Sequence, residues 1–172
     1  MSQITTHPKW VSRKATKTTG DNLIMLTAHF DAGDLTSADD GTNWVNGEHV
    51  GLFEIPFGSI VHYCHAKVSV AAGGASTADI GVLGFTSFVD GVFTDNASTG
   101  NDPDGLFDAI DLNAATAQVG AGLLLGRPLD ATIFTDAACL NKPLYITMEG
   151  ATVSTTNPAL VVLDISILVQ TP

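Results

Sequence analysis

Phe57-Gly-Ser-Ile-Val-His-Tyr-Cys-His-Ala-Lys-Val-Ser-Val-Ala-Ala-Gly-Gly-Ala-Ser-Thr-Ala-Asp-Ile-Gly-Val-Leu-Gly84 is the stretch on which the reading of the fold turns. Ile60 to Val70 alternates with period 2. Ile60, His62, Cys64, Ala66, Val68 and Val70 fall on one side, and Val61, Tyr63, His65, Lys67 and Ser69 on the other. Successive strand residues point to opposite faces, so this pattern predicts a strand with one core face and one mixed face. Ala71 to Thr77 is a turn of small residues, and Asp79 to Leu83 opens the next strand.

The same alternation recurs at the far end of the chain. Across Leu160 to Val169, the residues Val161, Leu163, Ile165, Ile167 and Val169 line one face, while Asp164 and Ser166 take the other. Burying such a row contributes on the order of 1.5–3 kcal/mol per side chain before conformational entropy is subtracted, which predicts a central strand. Val50 to Ile55 reads as a strand stopped by Pro56 and Gly58. Leu123 to Leu125, Ala131 to Phe134 and Leu144 to Met148 read as further strands, and Leu106 to Leu112 as one short helical turn. The apolar run from Asn22 to Phe30 is too short to separate strand from helix. Asp31 to Glu48 is a loop that includes the hairpin signal Asn46-Gly47.

Many short strands, frequent turn signals and almost no helical periodicity predict an all-β protein with less than about a tenth helix. The expected architecture is an antiparallel β-sandwich, jelly-roll-like, with an open barrel as the alternative. At 172 residues the chain suits one core-bearing domain. No apolar run approaches the roughly 20 residues of a membrane-spanning helix, and the start lacks a signal-peptide layout, so the chain reads as soluble.

Charge divides the chain unevenly. Lys9, Arg13, Lys14 and Lys17 lie in the first twenty residues, which hold no acid. The remaining 152 residues carry three basic residues (Lys67, Arg127 and Lys142) against all eighteen acids, a net of −15. Residues 1–20 show neither period, and read as an extended basic N-terminal arm; 21–172 reads as a single β-sandwich domain. So acidic a body repels phosphate backbones, which argues against nucleic acid as a partner.

Candidate chemistry is sparse. His62 and His65 point to opposite faces of a strand and cannot share one ion without a bulge. The acids between Asp90 and Gly105 offer oxygen ligands but not the EF-hand register, and turn-forming Asp and Asn account for them. Trp44 with Tyr63 is a conceivable sugar platform. Cys64 and Cys139 fit neither a metal spacing nor a disulfide framework, and Cys64 reads as a buried free thiol. Gly81-Val-Leu-Gly84 and Gly120-Ala-Gly122 read as strand-end glycines, and no phosphate loop, dinucleotide fingerprint or nucleophile elbow is present. The expectation is a protein without catalytic residues, metal or cofactor.

A long strand ending in small residues, a Thr-containing turn and a following strand that opens on Asp79-Ile80-Gly81 resembles a segment of small virion proteins of tailed bacteriophages, and the likeness spans roughly residues 55–169. The resemblance is to head decoration, or cement, proteins. It implies a body that binds the major capsid protein across neighbouring subunits on the outer capsid surface, made in the host cytoplasm and assembled as a homotrimer. On that reading the capsid anchor is the arm, through Ile4, Lys9, Trp10, Val11, Arg13, Lys14 and Lys17. A minor tail or neck protein and a carbohydrate-binding or adhesion module are the alternatives.

Overall fold

The computed structural model describes residues 3–5, 11–17, 22–32, 49–72, 74–89, 92–95, 100–137, 139–152 and 161–172. Its strands, in chain order, are β1 (Gln3–Thr5), β2 (Val11–Lys17), β3 (Leu23–Asp31), β4 (His49–Ile55), β5 (Ile60–Val70), β6 (Thr77–Val89), β7 (Val92–Asp95), β8 (Asp102–Asp111), β9 (Ala117–Val119), β10 (Leu144–Thr152) and β11 (Val162–Gln170). They form two sheets. One has the order β2-β3-β11-β5-β9; the other runs β10-β4-β1-β7-β6-β8 and is also joined directly between β10 and β6. All pairings are antiparallel except β1 with β4. The expected all-β sandwich is what the chain forms, and no α-helix occurs among the described residues.

The core lies between the sheets. β11 supplies Leu163, Ile165, Ile167 and Val169, all buried as the alternation requires, and sits between β3 and β5. The second sheet answers with Leu52, Ile80, Val82, Leu106, Ile110, Leu144, Ile146 and Met148 in the same cluster.

Four local expectations give way. First, β5 carries two bulges. Its partners jump from Val169↔Val61 to Leu168↔Tyr63, and from Leu163↔Val68 to Val162↔Val70, leaving His62 and Ser69 as extra residues. An inserted residue flips the side-chain parity. Val61 therefore joins Cys64 in the core while Val70 is 44% exposed, the reverse of a uniform alternation.

Second, Leu106 to Leu112 is not a helical turn but lies in β8 and just beyond it. Between Ile80↔Phe107 and Ala78↔Ile110 the partner strand advances two residues and β8 three. The extra residue sits at Asp108-Ala109, where Ala109 has φ 54° and its N–H donates to Asp79 Oδ1 at 2.8 Å. The bulge buries Leu106, Phe107 and Ile110, a spacing that imitates one helix face.

Third, Leu123 to Leu125 and Ala131 to Ile133 are turns rather than strands. Leu123 is 82% exposed. At 130–134 the Asp130 carboxylate accepts from the Thr132 N–H (2.9 Å) and hydroxyl (2.7 Å), and the Asp130 carbonyl accepts from the Phe134 N–H at 2.8 Å. This local capping out-competes a ladder.

Fourth, Gly81 stands inside β6, not at a strand end. A Cβ there would collide with the Asp102 carbonyl and Pro103 backbone, which cross over it. Gly122 is likewise required by the backbone of Gly105 and Leu106.

The N-terminal residues are extended where described, and they pair with the body. β2 pairs with β3 along its whole length, from Val11↔Phe30 to Lys17↔Ile24, and β1 lies between β4 and β7.

Candidate interaction surfaces

The outward face of the five-stranded sheet is polar and aromatic. On β5, Tyr63 is 37% exposed and stacks on His65, with ring centroids 6.2 Å apart and planes 9° from parallel. These two share a face because they are two residues apart beyond the His62 bulge. Neighbouring strands place Leu168 and Met25 beside Tyr63, Ser166 and Thr27 beside His65, and Asp164 and His29 beside Lys67. His29 Nδ1 lies 2.7 Å from Asp164 Oδ1, and the Ser69 hydroxyl donates to Asp164 Oδ2 at 3.3 Å. His62 Nε2 lies 2.9 Å from Gln170 Oε1. Edge strand β9 adds Val119, 58% exposed and in register with His65.

The outward face of the six-stranded sheet is acidic. Glu149 on β10 pairs across to His49 on β4 and to Asp79 on β6. His49 Nε2 is 3.6 Å from Glu149 Oε2. Asp102, Asp104 and Asp108 of β8 approach the same group. Burial foremost, then hydrogen bonding to and repulsion from Asp104, pushes the Asp102 carboxyl up to about 6. Asp79 is raised first by burial and then by Asp108 and Asp104, against the lowering effect of the Ala109 N–H. Glu149 is raised by burial, then by Asp79 and Asp104. Like charges on a partly dry surface disfavour the ionised form. In register between Gly51 and Gly81, Thr147 is fully buried, and its hydroxyl has no hydrogen-bond partner among the described residues.

The two sheets thus differ in charge. The strands of the five-stranded sheet contain Arg13, Lys14, Lys17 and Lys67 against Asp31 and Asp164. Those of the six-stranded sheet contain Glu54, Asp79, Asp95, Asp102, Asp104, Asp108, Asp111 and Glu149 and no Lys or Arg. The sequence located its basic residues at one end of the chain. The fold brings part of that end into the same sheet as Lys67, directly alongside β3 and with two strands between it and β5, through the pairing of β2 with β3, which sequence periodicity did not reveal.

The expected anchor residues fall on both sheets. Ile4 is on β1, in register with His49 and Phe93. Val11, Arg13, Lys14 and Lys17 are on β2, opposite Phe30, Ala28, Thr27 and Ile24. Lys9 and Trp10 lie outside the described residues, as do Trp44 and the Asn46-Gly47 turn. Among the described residues, no group of three His, Cys, Asp or Glu is placed to hold a metal ion. Cys64 and Cys139 are free and buried, and burial pushes the Cys64 thiol up to about 12, which leaves it protonated and inert as a nucleophile. A depression of about 550 Å³ between the end of β4 and the start of β10 is lined by Glu54, Phe57, Lys142 and flanking residues, with no catalytic set in it.

No protein-family model and no curated protein sequence matches the chain. Its fold is similar to that of a chain in the capsid of Ralstonia phage GP4, with TM-score 0.58 and 13% identity over 93% of this chain and 92% of that one. It is also similar to a chain in the cyanophage Pam1 capsid asymmetric unit, with TM-score 0.52 and 12% identity over 94% of each. The likeness is one of fold, and it runs nearly the full length of all three chains.

Proposed function

We propose that this chain is a structural protein of a bacteriophage virion, one that decorates the outside of the capsid and braces neighbouring subunits of the major capsid protein. The observation that carries this reading is the whole-chain fold likeness to two phage capsid chains of nearly equal length. A match that leaves almost nothing over on either side is what a common role for the entire sandwich would produce, rather than a borrowed module.

The anchor to the shell is the N-terminal region, through Ile4, Lys9, Trp10, Val11, Arg13, Lys14 and Lys17. β2 supports this, because it is the outer strand of its sheet and brings three of the seven Lys and Arg residues to that border. An edge strand with cations resists pairing with other edges while remaining open to an acidic surface. An exposed ion pair contributes only about 0–1 kcal/mol, so Trp10 and its apolar neighbours supply the remainder through burial of about 1.5–3 kcal/mol per large side chain. The protein acts as a homotrimer, which suits threefold positions on a shell.

The test is binding to undecorated capsids of the parent phage. Lys14→Glu with Lys17→Glu should weaken binding at least about tenfold at low salt, and Trp10→Ala should weaken it less. Both variants should keep the wild-type circular dichroism. Capsids that bind neither wild type nor variant would overturn decoration as the function. Equal binding by all three would overturn the anchor.

A further inference from the structure

We propose that the acidic outward face of the six-stranded sheet carries a binding site for a hard divalent cation of the Ca²⁺ kind, with the Asp102 and Asp104 carboxylates as direct ligands over the buried Thr147 hydroxyl, and with Asp79 and Glu149 completing the negative field. The proposal goes beyond the virion role and does not rest on it, since binding of an ion is read on the purified chain alone.

The start of β8 is folded in a way that gathers oxygens. Where β6 advances two residues, from Val82 to Ile80, β8 advances five, from Asp102 to Phe107. The surplus forms a loop, Asp102-Pro-Asp-Gly105, that crosses over Gly81 so closely that a Cβ there would meet the Asp102 carbonyl and the Pro103 backbone. Its return is as tight. A Cβ on Gly105 would lie 2.7 Å from the Asp102 carboxylate, which therefore folds back over its own turn. Asp102 and Asp104 are thereby within hydrogen-bonding distance of each other, side chain to side chain. Two carboxyl groups that close cannot both stand ionised without a positive charge between them, and a proton or a metal ion supplies it. On the strands beneath, Asp79 and Glu149 are cross-strand partners, and Asp104 acts electrostatically on both. The strands of this sheet contain no Lys or Arg to neutralise the group.

A second and independent sign lies under that loop. Thr147 stands on β10 between Ile146 and Met148, which both enter the core, so its own side chain takes the outward face with Glu149. An outward residue is ordinarily wet, yet Thr147 is fully buried. Its cross-strand partner is Gly81, and Asp102 and Pro103 pass over that position. The hydroxyl is thus aimed at the underside of the acidic loop, and it has no hydrogen-bond partner among the described residues. Burying a hydroxyl without a partner is unfavourable, and a ligand in the loop would relieve it. Carboxylates, a hydroxyl and nearby carbonyls are the all-oxygen set that Ca²⁺ takes. No three carboxylates converge as they stand among the described residues, so the ion holds two of them directly and fills its shell with water. That is the make-up of a weak, partly solvated site, with Kd about 0.1–1 mM. The ligands come from one turn and two neighbouring strands rather than from a single loop, which is why the EF-hand register is absent.

Calorimetric titration of the full chain with CaCl2, at an ionic strength held constant with NaCl, tests the site. Wild type should bind one ion per chain with Kd about 0.1–1 mM, and 10 mM CaCl2 should raise Tm at least about 3 °C over matched NaCl. Asp104→Asn, at an exposed position, should weaken binding at least about tenfold, and Thr147→Val at least about threefold, each with the wild-type circular dichroism. Glu54→Gln removes one exposed charge from the far end of the same sheet and should leave Kd within about twofold. In wild type, MnCl2 should broaden the amide resonances of Gly105, Ala109 and Thr147 before others, a readout that needs no variant to fold. Ca²⁺ that gives neither heat nor a Tm shift beyond that of NaCl would overturn the proposal. Equal weakening by Asp104→Asn and Glu54→Gln would do the same, because diffuse screening of an acidic surface does not distinguish the two. Mn²⁺ broadening centred away from the loop, or Asp104→Asn and Thr147→Val chains that both bind like wild type, would also overturn it.

Discussion

The two sheets of this sandwich were built by different means. In the five-stranded sheet, β11 runs nine residues in unbroken register with β3, from Val162↔Asp31 to Gln170↔Leu23. In the six-stranded sheet, β6 is interrupted against β8 at two points, and β10 is interrupted against both β4 and β6. The first sheet is held mainly by repetition, each second side chain of β11 entering the core, and among the described residues it departs from that rule only where β5 bulges at His62 and Ser69. The second is held by exceptions: Gly81 lets another chain segment cross it, Asp79 caps a bulged N–H, and a cluster of carboxylates is raised from its ordinary range. A periodic element spreads its stability over many equal contacts, whereas an irregular one concentrates it in a few residues that cannot be exchanged.

Removing the N-terminal region should have the largest effect on that contrast. With residues 1–20 deleted, β3 loses its pairing with β2 over seven residues and β4 loses β1. The truncated chain should melt at least about 10 °C lower, or fail to unfold cooperatively, because a loss of several kcal/mol in a domain of this size shifts Tm by about 2–4 °C per kcal/mol. Differential scanning calorimetry measures this. An arm that only rests on the body would leave Tm unchanged.

Ile167→Ala comes next. Ile167 is fully buried on β11, and truncation there should cost about 2–5 kcal/mol by urea unfolding. Gly81→Val should cost about 1–3 kcal/mol or more, since a Cβ meets the Asp102 carbonyl and Pro103 backbone rather than a yielding side chain. If Gly81→Val proves neutral while Ile167→Ala does not, the irregular sheet is softer than its geometry implies.

These two residues also show how far sequence reading reached. Ile167 belongs to an alternation that is visible in the chain, and its burial, strand and central place all follow from period 2. Gly81 was visible only as a glycine near a turn, because what demands it is a segment twenty residues away in sequence. The same holds for Leu106, Phe107 and Ile110, whose helix-like spacing is produced by one residue, Ala109, at positive φ. Bulges at His62 and Ser69 likewise reversed the faces of Val61 and Val70. Periodicity reports what a ladder would do if it were perfect, and it has no means of announcing where a residue is inserted. The segregation of charge between sheets was half legible: the basic cluster was plain in the chain, but its pairing with β3 was not.

Smaller effects sharpen the picture of the acidic face. Thr147→Val should raise stability by about 1 kcal/mol, because it removes a buried hydroxyl that finds no partner among the described residues while keeping its shape. The pH dependence has a definite sign. Asp102 binds its proton more tightly folded, at about 6, than unfolded, near the ordinary value of about 3.9. Between those values the folded chain holds more protons than the unfolded one, so stability falls as pH rises through the window. Asp79 and Glu149 shift in the same direction. Tm should therefore be about 1–3 °C higher at pH 5.5 than at pH 7.5, and Asp102→Asn should raise Tm at pH 7.5 while flattening the slope. A Tm that rises from pH 5.5 to 7.5 would mean that the carboxylates are paired with cations in the folded chain.

The central claim is that this sandwich sits on a phage shell, and cryo-electron microscopy of undecorated parent capsids incubated with the purified chain tests it most directly. The account predicts ordered density for the two-sheet body on the outer surface at threefold positions, with β2 towards the shell and the same density missing from untreated capsids. Shells that stay bare at saturating protein, or density confined to the tail or neck of the complete virion, would contradict it.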